Sequence, residues 1–278
     1  VPLLDCNGAK IWYESTGDGP ETIVFAHGLL WSGEMFAAQV AEFSKRCRCV
    51  TFDFRGQGKT PVTASGYGMD ELTNDAAALI ETLAVGPVHF AGLSMGGFVA
   101  MRLGARRPDL VRSLILLETS AGPEPPEKIG KYKLLALVGR WLGFGVVASQ
   151  VMPIMFGQTF VQDPARKAER DHWRARLIAN DRLGVQRALG GVIARASIED
   201  ELGKITAPTL VIVGDEDVAT VPAKAERIRD GISGAKLVVI PHAGHSSSIE
   251  EPQAVNAAIA SFLTDVSART SSLDVTEA

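Results

Sequence analysis

Several things are scarce in this chain, and each scarcity excludes a class of protein. Among 278 residues there are three cysteines, Cys6, Cys47 and Cys49. They are too few and too unevenly placed for a disulfide framework, so they read as reduced thiols in a cytoplasmic protein. Neither sign of charge is in much excess: 28 Lys and Arg against 32 Asp and Glu leave a net charge of −4. No basic surface for nucleic acid or anionic lipid is expected, and neither nucleic acid nor membrane is an expected partner. Long apolar runs are missing as well. The nearest approach, residues 134–156, contains Arg140 and Gln150 and is interrupted by Gly139, Gly143, Gly145 and Pro153. A spanning helix needs ~20 apolar residues, so no membrane span is expected, and the stretch reads as short buried helices. Residues 1–6 show no basic region ahead of an apolar one, so no signal peptide is expected. Histidines number only five, and they are not spaced as a zinc site. Neither a metal nor a cofactor is expected.

What remains is an ordinary globular composition, 46% hydrophobic and 22% charged, ample for one large core. Short β-rich runs recur at 22–26, 48–52, 88–91, 113–117, 209–214 and 236–240. Most are continuously apolar rather than alternating, as in strands of a parallel sheet covered on both faces. Helical patterns lie between them, at 70–83 with Leu72, Ala76, Leu79, Ile80 and Leu83 on one face, and at 95–106. Alternating strands and helices predict an α/β fold with a mostly parallel central sheet. The alternation lapses after a Pro-rich turn at 122–126, reads as helix only, and resumes at Thr209. The expected organisation is therefore a core of residues 1–121 and 203–265. An all-helical cap, 122–202, sits between two strands over the sheet's C-terminal edge, where α/β ligands bind. The polar tail, 266–278, is expected to be flexible.

The chemistry-bearing motif is Gly92-Leu93-Ser94-Met95-Gly96, between a predicted strand and a predicted helix. That context turns a G-x-S-x-G string into a nucleophile elbow, with the serine hydroxyl exposed at a helix N-terminus. A serine is a weak nucleophile at neutral pH and needs a base. His245 follows the strand at 236–240 and so lies at the same sheet edge as Ser94; His242, beside Pro241, fits a turn or packing role. The base in turn needs a carboxylate. Asp217, after the strand at 209–214, is the first candidate. Asp215 suits a turn cap, and Glu118, at the end of the strand at 113–117, is the second choice. The order Ser94, Asp217, His245 is the one found when such a triad is built on an elbow of this kind. An oxyanion would need two donors: the N–H of Met95, and an N–H from the loop His27-Gly28-Leu29, where Leu29 is the candidate. His27 reads as a ring that hydrogen-bonds the loop backbone.

These residues, with the turn Asp53-Phe54-Arg55-Gly56-Gln57-Gly58, Gly244-His245 and the following Glu251-Pro252, resemble the α/β-hydrolase superfamily over nearly the whole chain. Residues 27–36 are similar to its small esterase, lactonase and cofactor-free haloperoxidase branch. The resemblance implies an α/β-hydrolase fold, a Ser94–Asp217–His245 triad, and Leu29 and Met95 as oxyanion donors. It implies a mostly structural role for Arg55. Relatives with an aspartate at the elbow, the dehalogenases and epoxide hydrolases, are disfavoured by Ser94. Carbon–carbon bond hydrolysis and perhydrolysis use the same residues and stay open, as does a small-molecule receptor on the same fold. The partner expected is a small ester or lactone with an apolar acyl part, N-acyl homoserine lactones included. Trp31, Leu142, Met152, Met155 and Phe156 are the expected pocket residues, because such pockets are mainly apolar.

Overall fold

A computed structural model describes residues 3–276. The chain opens with a hairpin of β1 (Leu3–Cys6) and β2 (Ala9–Thr16), turned by Asn7 and Gly8, both at positive φ (46° and 76°). Then come β3 (Thr22–Ala26), α1 (Ala37–Phe43), β4 (Arg48–Phe52), α2 (Met69–Leu83), β5 (Val88–Leu93), α3 (Met95–Arg106) and β6 (Val111–Leu117). Five helices follow without a strand: α4 (Pro126–Leu142), α5 (Ala148–Met155), α6 (Gln158–Gln162), α7 (Lys167–Ala179) and α8 (Arg182–Ala194). The chain closes with β7 (Thr209–Gly214), α9 (Pro222–Gly231), β8 (Lys236–Ile240), α10 (Ser247–Glu250) and α11 (Pro252–Thr276).

The strands form one sheet in the order β1-β2-β4-β3-β5-β6-β7-β8. β1–β2 and β2–β4 pair antiparallel and the remaining neighbours parallel. Most of the continuous apolar runs behave as two-sided strands should, whereas β8, at the sheet's edge, is buried only at Ile240. β3, β5 and β7 are buried at every position, and apolar clusters pack on both faces of the sheet. Parallel pairing brings the C-terminal ends of β5, β7 and β8 to one edge, so the loops after them can share a site.

The six expected strands are all present. The first hairpin is additional: its partly exposed strands give little apolar run, although Asn-Gly is the residue pair that such a two-residue turn favours. The amphipathic stretch at 166–189 is split into α7 and α8. The Asn180 side chain donates to the carbonyls of Leu30, Arg176 and Leu177 there. Asp181 then caps α8 by accepting from the N–H groups of Leu183 and Gly184. The stretch expected as a flexible tail is helical as far as Thr276. Val266 is buried there, and the hydroxyls of Thr264 and Ser267 bond the carbonyls four residues back, satisfying themselves without leaving the helix. Among the described residues no helix is long and apolar enough to cross a membrane.

One buried ion pair ties the hairpin to the helices. Arg55 donates to both oxygens of Asp75 on α2, each at 2.6 Å, and to the carbonyl of Asn7 at 2.9 Å. The Asn7 amide returns a bond to Asp75 at 3.0 Å. The Arg55 and Asp75 side chains are only 7% and 1% exposed. Removing one partner strands the other charge without water. Asp75→Ala should therefore lose about 3–5 kcal/mol of stability in urea unfolding; a loss under about 1 kcal/mol, as for a surface pair, would contradict this role.

Candidate active site

The site is built around Ser94, in the turn between β5 and α3. Its backbone is forced to φ 52°, ψ −108°, outside the regions an L-residue prefers. The turn is this tight because its flanking glycines let backbones touch. A Cβ on Gly92 would lie 2.2 Å from the Gly96 carbonyl oxygen, and one on Gly96 would lie 2.0 Å from that of Ala26. The Ser94 N–H donates to Leu117 O at 2.9 Å, and the Thr119 hydroxyl donates to Ser94 O at 2.8 Å, so the strained turn is held from β6.

His245 reaches this serine from the loop after β8. Its Nε2 lies 2.9 Å from Ser94 Oγ and its Nδ1 lies 2.9 Å from Asp217 Oδ2. The pattern is satisfied when Nδ1–H donates to Asp217 and Nε2 accepts from the serine hydroxyl. Asp217 stands in the loop after β7 with both oxygens engaged. Oδ1 accepts from the N–H groups of Ala219 and Thr220, and Oδ2 from the Thr220 hydroxyl at 2.6 Å. Burial alone would raise its pKa. The charge and hydrogen bond of His245, with the Thr220 bonds, outweigh burial and hold the carboxyl at about 2.

The rival residues stand elsewhere. Asp215 accepts from the His242 N–H at 2.8 Å and secures the turn after β8, with His242 exposed at φ 62°. His27 is fully buried; its Nδ1 meets the Gly28 carbonyl at 2.7 Å and its Nε2 accepts from Phe54 N–H at 2.9 Å. Both ring nitrogens are thus spent on backbone, and burial lowers its pKa. Glu118 is fully buried, and neither carboxyl oxygen has a hydrogen-bond partner. Burial, then the nearby charges of Asp217 and Glu250, push its pKa well above the ordinary carboxylate range.

Two supporting residues give no local signal in the sequence. Glu250, on α10, accepts from the N–H groups of Gly244 and Ser246 on either side of His245, each at 3.0 Å, and from Gly157 N–H at 2.7 Å. Burial raises its carboxyl to about 7 despite those three bonds. Glu216, beside Asp217, accepts from the N–H and hydroxyl of Thr159. The start of α6 is thereby fastened to the loops that carry Asp217 and His245. Thr220 was more accessible, since an aspartate bonding the N–H groups two and three residues ahead is a common local motif.

A cavity of about 130 Å³ lies over Ser94 and His245. Leu29, Phe98, Ala219 and Thr220 wall it from the sheet side; Tyr132, Leu135, Phe144, Val147, Met155 and Leu189 wall it from the helical segment. Of the five expected pocket residues, Met155 is the one that lines it. Leu142 is two-thirds exposed, its side chain turned outward at the end of α4. Met152 and Phe156 are buried in the apolar cluster, Phe156 stacked on Phe160 at 4.6 Å. Trp31 donates from Nε1 to the Ser246 hydroxyl at 3.2 Å and packs edge-on against Trp173, so it braces the His245 loop from behind. Leu29 stands in the loop after β3 and lines the cavity, and Met95 is the first residue of α3. Leu30, next to Leu29, is pinned at φ 74°: its N–H donates to Gln57 and its carbonyl accepts from Asn180. Among the described residues no cluster of three His, Cys, Asp or Glu could hold a metal.

The family model for the alpha/beta hydrolase family matches residues 23–258. The chain belongs to the alpha/beta hydrolase family. Its relatives include the 3-oxoadipate enol-lactonase 2 of Acinetobacter baylyi, 28% identical over 85% of this chain and 86% of that protein. Among solved structures, the enol-lactonase of Burkholderia xenovorans is similar at a TM-score of 0.88 and 30% identity, over 95% of this chain and 100% of that one. An esterase of Thermogutta terrifontis is similar at 0.87 and 29%, over 96% and 97%. Est816, described as an N-acyl homoserine lactone degrading enzyme, is similar at 0.81 and 29%, over 94% and 100%.

The unpaired Glu118 has a testable consequence for stability. Its pKa is raised on folding, so over the interval between ~4.3 and the raised value the folded chain keeps a proton that the unfolded chain has lost. Stability must fall as pH rises through that interval. Glu118→Gln, neutral at every pH, should lose less melting temperature than the native chain as pH rises above ~4.3. An equal loss in both would contradict the buried-acid assignment.

Proposed function

We propose that the chain is a serine hydrolase of carboxylic esters or lactones with an apolar acyl part, N-acyl homoserine lactones included, working through an acyl-enzyme. The observation that carries this reading is the unbroken relay Ser94 Oγ to His245 to Asp217, 2.9 Å at each step. Its second support is the apolar cavity directly over the serine.

In this mechanism the carbonyl of the substrate lies over Ser94. His245 takes the hydroxyl proton as Oγ attacks, and Asp217, ionised throughout, stabilises the imidazolium and keeps Nδ1 protonated. The negative oxygen of the tetrahedral intermediate is received by the N–H groups of Leu29 and Met95, and each such donor contributes on the order of 3 kcal/mol to the transition state. The imidazolium then protonates the leaving alcohol, or the ring oxygen of a lactone. Water repeats the two steps on the acyl-enzyme, with His245 again as base. No step calls for a metal or cofactor. The relatives that act on enol-lactones, esters and homoserine lactones favour this substrate range. The three cysteines are free and buried, in keeping with a reducing compartment such as the cytoplasm.

Ser94→Ala should lower kcat on p-nitrophenyl butyrate by about 10,000-fold or more and abolish labelling by a fluorophosphonate. Equal turnover by the two proteins would remove Ser94 as the nucleophile. Mass detection of ring-opened acids from acyl homoserine lactones and γ-lactones tests the lactone half. Absence of lactone turnover beside good ester turnover would restrict the reading to esters.

Activity should also fall at acid pH, because a protonated imidazole cannot act as base. Asp217, held at about 2, keeps its charge into strongly acid solution. A kcat/KM that stays flat down to about pH 4 would contradict His245 as base.

A further inference from the structure

Nine large apolar side chains are exposed among the described residues, and seven of them lie on two segments that wall the catalytic cavity. Leu134, Leu137, Trp141, Leu142 and Val146 belong to α4 and the turn after it. Val218 and Val221 flank the cavity residues Ala219 and Thr220. The two segments touch, since Lys128 of α4 donates to the carbonyls of Val218 and Ala219. Exposed apolar residues scattered singly need no explanation, but a gathered set marks a contact surface.

The arrangement on α4 identifies the partner. Leu134, Leu137 and Trp141 are spaced three and four apart, so they form one stripe, between 49% and 69% exposed. The opposite side of the helix turns Tyr132, Leu135 and Ala136 to the cavity. Lys133 and Arg140, seven residues apart, run along one flank of the outer stripe, and Lys131 lies on the other. The helix has four basic residues, Lys128, Lys131, Lys133 and Arg140, against one acid, Glu127 in its first turn, a local charge of +3 on a chain of net −4. An apolar stripe edged by cations, with a tryptophan within it, has the chemistry of a helix that lies in the headgroup region of an anionic bilayer. A second copy of the chain fits less well. A two-fold pairing of this face would set Lys131, Lys133 and Arg140 of both copies against one another.

We propose that the outer face of α4 docks the protein on an anionic lipid surface, with Trp141 seated at the headgroup level. Docking there would turn the rim of the cavity toward the lipid, so that amphiphilic substrates reach Ser94 from the bilayer rather than from water. This goes beyond the hydrolytic reading and does not depend on it: the Ser94→Ala protein should dock as the native one does.

The test is co-sedimentation of the full chain with vesicles of phosphatidylglycerol and of phosphatidylcholine. Binding to phosphatidylglycerol vesicles, weakened by salt, is expected, with little binding to phosphatidylcholine. The double variant Leu137→Ser/Trp141→Ser should bind about tenfold more weakly or worse, and Lys131→Glu/Lys133→Glu should also bind weakly. Both should keep the native melting temperature and native turnover of p-nitrophenyl butyrate, a water-soluble ester. Trp31 and Trp173 are buried and Trp12 lies under Lys59, so a blue shift of emission on docking reports Trp141; Trp141→Phe should dock without the shift. Equal sedimentation of native and variant chains would overturn the proposal, as would equal binding to both lipids. A dimer in solution that the Leu137→Ser/Trp141→Ser variant abolishes would overturn it in favour of a second copy.

Discussion

One imidazole touches a hydroxyl and a carboxylate at the same time, and the sheet and its loops hold that contact. Ser94 is 151 residues from His245 in sequence and Asp217 is 28, yet both meet it at 2.9 Å. A parallel sheet makes this economical, because β5, β7 and β8 all end at the same edge and each delivers one of the groups there. The glycines at 92 and 96 exist for the same purpose. They let the turn close so tightly that the serine is lifted out of the sheet, at a cost in backbone strain that β6 holds in place through Leu117 and Thr119.

Four acids lie in or next to the segments that follow β6, β7 and β8, and their environments hold two of them below the ordinary carboxylate range and two above it. Asp217 is buried but receives hydrogen bonds from two N–H groups, a hydroxyl and the imidazole, so it stays charged. Glu118 is as deeply buried without a well-formed hydrogen bond to either oxygen, and burial pushes its pKa well above the ordinary carboxylate range. Glu250 lies between: three N–H groups face it, and it titrates near neutrality at about 7. Glu216 is half in water, and Thr159 keeps its carboxyl below the ordinary range despite the opposing effect of burial. Hydrogen bonding to the charged form, rather than depth, separates Asp217 from Glu118. A carboxylate that carries a full charge beside His245 can stabilise imidazolium; a protonated neighbour cannot.

The helical segment between β6 and β7 has two distinct surfaces. Its inner one supplies most of the cavity wall. It is fastened to the triad loops where Glu216 and Glu250 grip Thr159 and Gly157. Gly157 and Gly244 pack so closely that a Cβ on Gly244 would lie 2.1 Å from the Gly157 nitrogen. Its outer surface is apolar where solvent would favour polar residues, along α4. A helix with apolar residues on both sides satisfies two partners, the cavity within and an interface without, and charge along its flanks selects what that interface is.

The sequence by itself determined the class of fold, the strands at the centre of the sheet, and the residue types able to do chemistry. Those features are local. A continuous apolar run of five or six residues bounded by turn residues reads as a strand, and Gly-x-Ser-x-Gly between a strand and a helix reads as a tight turn; that the run at 236–240 would lie at the sheet's edge, with only Ile240 buried, was not legible. The placement of Ser94, Asp217 and His245 followed from their positions just after strands. Tertiary structure decided the rest. Leu142 and Met155 are equally apolar, but packing of short helices turned one outward and the other into the cavity. Trp31 went to brace a loop because a partner for its N–H, Ser246, stood 215 residues away in sequence. Glu250 acquired its grip on His245 because the Gly157 backbone met it there. None of these follows from periodicity, because each depends on which surface of an element finds a partner, and that is settled only when distant segments are brought together.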